Sequence, residues 1–80
     1  MIKKLRNPGS KAAVSPSLTP REREVLAWVA KGKSAWETGK ILHIAKRTVD
    51  EHTQTAARKL GAANRTQAVA LALLLRLIEP

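Results

Sequence analysis

Residues 46–60 carry the side chains best suited to chemistry. On a helix advancing about 100° per residue, Arg47, Asp50, Glu51, Gln54 and Arg58 fall in one arc, roughly 40° to 140° from Lys46. Val49, Ala56 and Leu60 fall together on the other side, with Thr53 and His52 on the margins of that stripe. One side is thin and apolar. The other offers guanidinium, carboxylate and carboxamide groups, which pair with phosphates and base edges. A solvated helix face uses the same residue types, so the flanking elements and the total charge have to decide between the two.

The sequence offers little for catalysis. Asp50 is the only aspartate, and His52 lies about 200° from it around the same helix, so the two do not face each other. His43 falls in a turn. There is no phosphate-cradling glycine loop and no H-E-x-x-H pair. With no cysteine and two histidines, a metal site is not expected. Neither catalytic residues nor a cofactor are assigned.

The elements around this segment are punctuated by caps. Thr19-Pro20-Arg21-Glu22 combines a capping residue, proline at the first helical position and an acid three residues after the cap. It predicts a helix over 20–31, stopped by Gly32, with Val25, Leu26, Trp28 and Val29 as its apolar face. Ser34-Ala35-Trp36-Glu37 is a second capping box and predicts a short helix to Leu42, with Ile41 and Leu42 inward. His43-Ile44-Ala45 makes a tight turn into the helix over 46–60, which ends at Gly61. Asn64-Arg65-Thr66-Gln67 is a third box, opening a helix over 65–77. No alternating strand pattern occurs. The class is therefore all-α: a compact four-helix domain over 18–80 containing a helix-turn-helix, preceded by a flexible basic tail over 1–17. In the tail, Asn7-Pro8-Gly9-Ser10 and Ser15-Pro16-Ser17 are breaker clusters, and apolar content is too low to repay ordering. A helix-turn-helix lays its second helix in the major groove of DNA.

The charge agrees. Fifteen Lys and Arg stand against six acids, a net charge of +9. Both the tail and the domain are basic, which points to a polyanion. Phe and Tyr are absent, which removes an aromatic platform for single-stranded bases. The longest apolar run, Ala68–Leu75, falls far short of the ~20 residues that span a bilayer. Asn7-Pro8-Gly9-Ser10 stands where a signal peptide needs an apolar stretch, so the expectation is a cytoplasmic protein.

Many spaced residues now resemble the LuxR-type helix-turn-helix DNA-binding domain. They are Leu18 through Leu26, Gly32-Lys33-Ser34, Trp36-Glu37, Ile41-Leu42, Thr48-Val49, His52, Lys59-Leu60 and Asn64 through Val69. The resemblance covers about residues 18–78. Trp36 before Glu37 is similar to the quorum-sensing branch. The resemblance implies a bacterial, nucleoid-associated transcription regulator that binds double-stranded inverted-repeat operators as a dimer, with a sensory domain in a longer chain. It implies base reading by Asp50, Glu51 and Gln54. It implies phosphate contacts from Lys33, Ser34, Trp36, Lys46, Arg47, Arg58 and Lys59. The sequence departs from the family pattern at Thr38-Gly39, usually Ile-Ala; at Ala45, usually a capping Ser; and at Arg76, usually Gly, so that the last helix must close differently.

The fourth helix is apolar all round over 68–75. If Val69, Leu73 and Leu77 face the core, then Leu71, Leu74 and Ile78, with Gln67 at the start, form a stripe pointing away. Such a stripe implies a partner, and the resemblance implies pairing of two copies through it. The alternative function is a protein-interaction module built on this Leu-rich helix, with the charge serving solubility. Another is a peripheral membrane binder using the tail and the stripe.

Overall fold

The computed structural model describes residues 17–80; the tail expected over 1–17 lies outside them, apart from Ser17. Four helices follow one another: α1 Pro20–Ala30, α2 Ala35–Leu42, α3 Lys46–Leu60 and α4 Arg65–Leu74. No strand occurs among the described residues, in line with the all-α reading.

The caps form as their residue types dictate. Thr19 Oγ1 accepts from the Glu22 N–H at 3.1 Å, and the Thr19 N–H donates to Glu22 Oε1 at 2.9 Å. Ser34 and Glu37 repeat the exchange at 3.0 and 2.8 Å. The bond from the Ser34 N–H holds the Glu37 carboxyl below its ordinary value. The third box differs from expectation. Asn64 accepts from the Gln67 N–H at 2.9 Å, but the Gln67 side chain reaches one residue further back and accepts from the Ala63 N–H. Ala45 makes no side-chain cap for α3, as its type requires.

The turn between α2 and α3 depends on Gly39. An added Cβ there would stand 2.6 Å from the Ile44 carbonyl oxygen, closer than carbon and oxygen can approach. The missing side chain lets the turn close onto α2, and the Ile44 N–H donates to Gly39 O at 2.9 Å. His43 takes the left-handed conformation (φ 61°) to make the corner. Thr38 beside it is fully buried, with its hydroxyl left without a partner.

Two clusters form the core. Val25, Ala35 and Val49, with Val29, Leu42 and Ile44 against them, lock α1, α2 and the turn onto α3. Leu18, Leu26, Ala56, Ala68, Ala72 and Ile78 join α1, α3 and α4. The alanines bring the α3 and α4 backbones close together. Ile41, expected inward, is instead 39% exposed, because Thr38, Gly39 and Leu42 take the inward side of so short a helix.

The last helix corrects four further expectations. It stops at Leu74, not near Leu77, and its centre of burial is Ala68 and Ala72, with Val69, Leu73 and Leu77 flanking. Arg76 does not impose a different closure. It adopts the left-handed conformation itself (φ 59°). Its N–H donates to Leu73 O at 3.1 Å, and the Leu77 N–H donates to Ala72 O at 2.8 Å. These are the two bonds of the glycine-type helix ending. The reversal carries Ile78 back into the core at 7% exposure, so Ile78 is not part of an outward stripe.

A side chain in the left-handed region carries a steric cost that glycine avoids, partly offset by glycine's greater freedom when unfolded. Arg76→Gly is therefore expected to raise stability by about 0.5–1 kcal/mol, seen as a higher urea midpoint with an unchanged slope.

Candidate nucleic-acid interface

Helix α3 is held by a narrow stripe. Val49, Thr53 and Ala56 are buried and Leu60 is half-buried. The Thr53 hydroxyl donates to Val49 O at 2.9 Å, so its burial leaves no polar group unpaired. On the opposite side Lys46, Arg47, Glu51, Gln54 and Arg58 are exposed and Asp50 is half-exposed. This is the arc read from the sequence. Asp50 and His52 do not face each other: Asp50 pairs with Lys46, while His52 sits half-buried on the far margin. Among the described residues no three His, Cys, Asp or Glu side chains come together as metal ligands would.

The two carboxylates on this face do not stand alone. Lys46 Nζ lies 2.8 Å from Asp50 Oδ2, and Arg47 Nε lies 3.6 Å from Glu51 Oε2, each one helical turn away. Such exposed pairs are worth only ~0.3–0.5 kcal/mol, little enough to open when a phosphate or a base offers a better partner. Without these cations the acids would repel phosphate outright. Arg58 and Lys59 close the last turn, where cations favour the helix dipole.

Beside α3, Trp36 on α2 is 60% exposed, and Lys40 Nζ stands 4.9 Å above its ring, a cation–π arrangement. Trp36, Lys40, His43 and Lys46 line one groove. Lys33 and Ser34 stand just before α2, Lys33 half-buried and Ser34 exposed. Of the residues expected to meet phosphate, Lys33, Ser34, Trp36, Lys46, Arg47 and Arg58 thus lie on α3, on the first turn of α2 or on the segment that leads into it. Sequence reasoning passed over Lys40, although its spacing of four from Trp36 puts both on one side of α2.

Lys59 is different. Its ammonium lies 2.9 Å from Glu22 Oε1 and donates to the Ser17 carbonyl at 3.1 Å. It remains exposed but is paired with a structural partner on α1, as Lys46 and Arg47 are paired with acids on their own helix. Glu22 is 5% exposed. Burial pushes its carboxyl upward, but the hydrogen bond from Lys59 and that from the Thr19 backbone outweigh it, so the group ionises below its ordinary value of 4.5. The capping box located Glu22. Its second partner, 37 residues away, left no local signal.

A short helix, a closed turn and a second helix with a free polar face make this chain a helix-turn-helix DNA-binding domain. Residues 16–72 match the family described as bacterial regulatory proteins, luxR family, and the chain belongs to that family, which consists of regulators and not enzymes. It is 65% identical over 66 residues to the transcriptional activator protein BjaR1 of Bradyrhizobium diazoefficiens, covering 82% of this chain and 27% of that protein. It is 64% identical over 62 residues to the quorum sensing-dependent transcriptional regulator RpaR of Rhodopseudomonas palustris, covering 78% and 26%. The fold superposes on the transcription factor GerE with a TM-score of 0.75 at 32% identity, covering 78% of this chain and 92% of that one. The chain spans about a quarter of the length of the curated relatives it matches.

The Glu22–Lys59 pair makes stability pH-dependent with a defined sign. A carboxyl whose folded value is lowered stabilises the fold fully above its unfolded value, here near 4.5. That stabilisation is lost as pH falls through the folded value. Resistance of the wild type to urea should weaken as pH falls below about 4.5, and Glu22→Gln should remove that part of the dependence. Lys59→Met should cost about 1–3 kcal/mol at pH 7, because it strips a buried acceptor of a donor.

Proposed function

We propose that this domain regulates transcription in the bacterial nucleoid by binding inverted-repeat operators as a homodimer, with α3 in the major groove. The observation that carries the reading is the free polar face of α3, opposite a buried stripe and held at a fixed angle by the turn. Asp50, Glu51 and Gln54 read base edges. Lys33, Ser34, Trp36, Lys46, Arg47 and Arg58 meet phosphates. Carboxylates accept from the cytosine amino group, and Gln pairs with adenine, so the operator carries cytosine or adenine where these side chains reach. In the relatives the remaining three quarters of the chain leave room for a sensory domain. The name of RpaR supports a quorum signal as the input and that of BjaR1 an activating output.

Pairing runs through α4. Leu74 is 78% exposed and Leu75 50%. Gln67 is exposed and Leu71 half-buried on the same side. Burying a Leu gains roughly 1.5–3 kcal/mol, so a few such residues do little more than offset the ~4–15 kcal/mol cost of association. Dilute protein is therefore monomeric, and the operator supplies the second half of the binding energy by holding two copies about one helical turn apart.

Selection of bound duplexes at a stated salt concentration tests the reading. Gln54→Ala should relax preference at one operator position, worth ~1–3 kcal/mol, and leave non-specific binding nearly intact. An identical sequence logo for wild type and variant would count against base reading by Gln54. Leu74→Glu should fold normally and bind a half-site as the wild type does, but lose cooperativity on the full repeat. Titration of half and full sites, together with sedimentation, reads both. Retained cooperativity would move the pairing surface off α4.

A further inference from the structure

The reading helix supplies little net positive charge of its own. Lys46 and Arg47 are paired with Asp50 and Glu51, and Lys59 is turned to Glu22. Among the described residues Arg58 is the one cation of α3 outside an ion pair. Duplex binding nevertheless draws its sequence-independent affinity from phosphate neutralisation. Part of that charge has to come from beside α3.

Two grooves meet at Arg65. One, of about 540 Å³, runs between α3 and the start of α4 and is lined by Gln54, Arg58, Asn64 and Arg65 among others. The other, of about 360 Å³, runs between the α1–α2 turn and α4 and is lined by Lys33, Ser34, Arg65 and Thr66 among others. Arg65 is exposed and makes no ion pair among the described residues. It lines the first groove with Arg58, where Asp50 also stands, and the second with Lys33. It also does nothing for its own helix, because a cation at the first helical position opposes the dipole.

We propose that Arg65 is a phosphate-binding residue that seats the start of α4 on the DNA backbone and fixes the depth and angle of α3 in the groove. The inference rests on the DNA-binding reading above. A guanidinium suits the role because its planar fork binds phosphate oxygens two at a time. Arg65 binds phosphate and no base edge, so it sets affinity and register and leaves sequence preference to Gln54 and the acids.

The test uses the 80-residue chain with Arg65→Ala, Arg65→Gln and Arg65→Lys, and Arg76→Ala as a control cation on the far end of α4. Binding to the selected operator and to a scrambled duplex is measured over a salt series. Arg65→Ala and Arg65→Gln should each shrink the log–log salt slope by about 0.9 per bound protomer, weaken both duplexes alike and leave the sequence logo unchanged. Arg65→Lys should restore the slope, and Arg76→Ala should not alter it. A scan of neutral methylphosphonates should find one phosphate whose neutralisation weakens the wild type but not Arg65→Ala. If Arg65→Ala melts, Arg65→Gln and Arg65→Lys carry the same comparison. A wild-type slope in a folded Arg65→Gln variant overturns the proposal while DNA binding stands, as does a changed logo with an unchanged slope. A wild-type chain with no salt-dependent duplex binding overturns the DNA-binding reading and Arg65 with it.

Discussion

A helix that reads a ligand must keep about half its circumference free, and the rest of this fold answers to that constraint. Helix α3 buries little more than Val49, Thr53, Ala56 and part of Leu60. So thin a stripe fixes a helix only if its neighbours approach closely. Ala56, Ala68 and Ala72 provide that approach on one side, and the turn at Gly39 provides it on the other. The Lys59–Glu22 pair then ties the far end of α3 to the first turn of α1 and to the chain entering at Ser17. Both ends of the reading helix are clamped, and its polar face is left open.

The local departures from the family pattern belong together. Gly39 lowers helix propensity, yet its missing Cβ gives the turn room to close. Ala45 leaves α3 without a side-chain cap, and the closed turn and the buried Val49 hold the helix start instead. Thr38 brings a fully buried hydroxyl with no partner, a cost that the surrounding packing has to absorb. Arg76 accepts the strain of a left-handed residue and in doing so returns Ile78 to the core. At each point a local preference yields to a tertiary contact.

Electrostatics divides the work differently from a simple count of charges. The chain is strongly basic, but two of the cations on α3 are spent on neighbouring acids and a third on Glu22. The reading face is close to neutral and polar, which suits discrimination between base edges more than blanket attraction to phosphate. Cations with no ion pair among the described residues stand on either side, Lys40 over Trp36 and Arg65 between two grooves. On the proposed reading, attraction and discrimination are thereby separated in space.

The four helices, two of the three capping boxes and the division of α3 into a buried and a free side were legible from the residues alone. These follow from short-range rules: a cap acts within one turn, and a helix repeats every 3.6 residues. The sequence also carried the family, because spaced residues across nearly the whole domain agree. Tertiary structure decided the rest. Periodicity around α4 could not show that alanines, the smallest apolar residues, form the centre of its buried side, because that follows from how near α3 stands. Nor could it show that Arg76 would turn left-handed and carry Ile78 inward. Lys59 read as one more surface cation until the fold brought Glu22 to within 2.9 Å of it. A charge pair separated by 37 residues has no period and no spacing, so only the folded chain could make it.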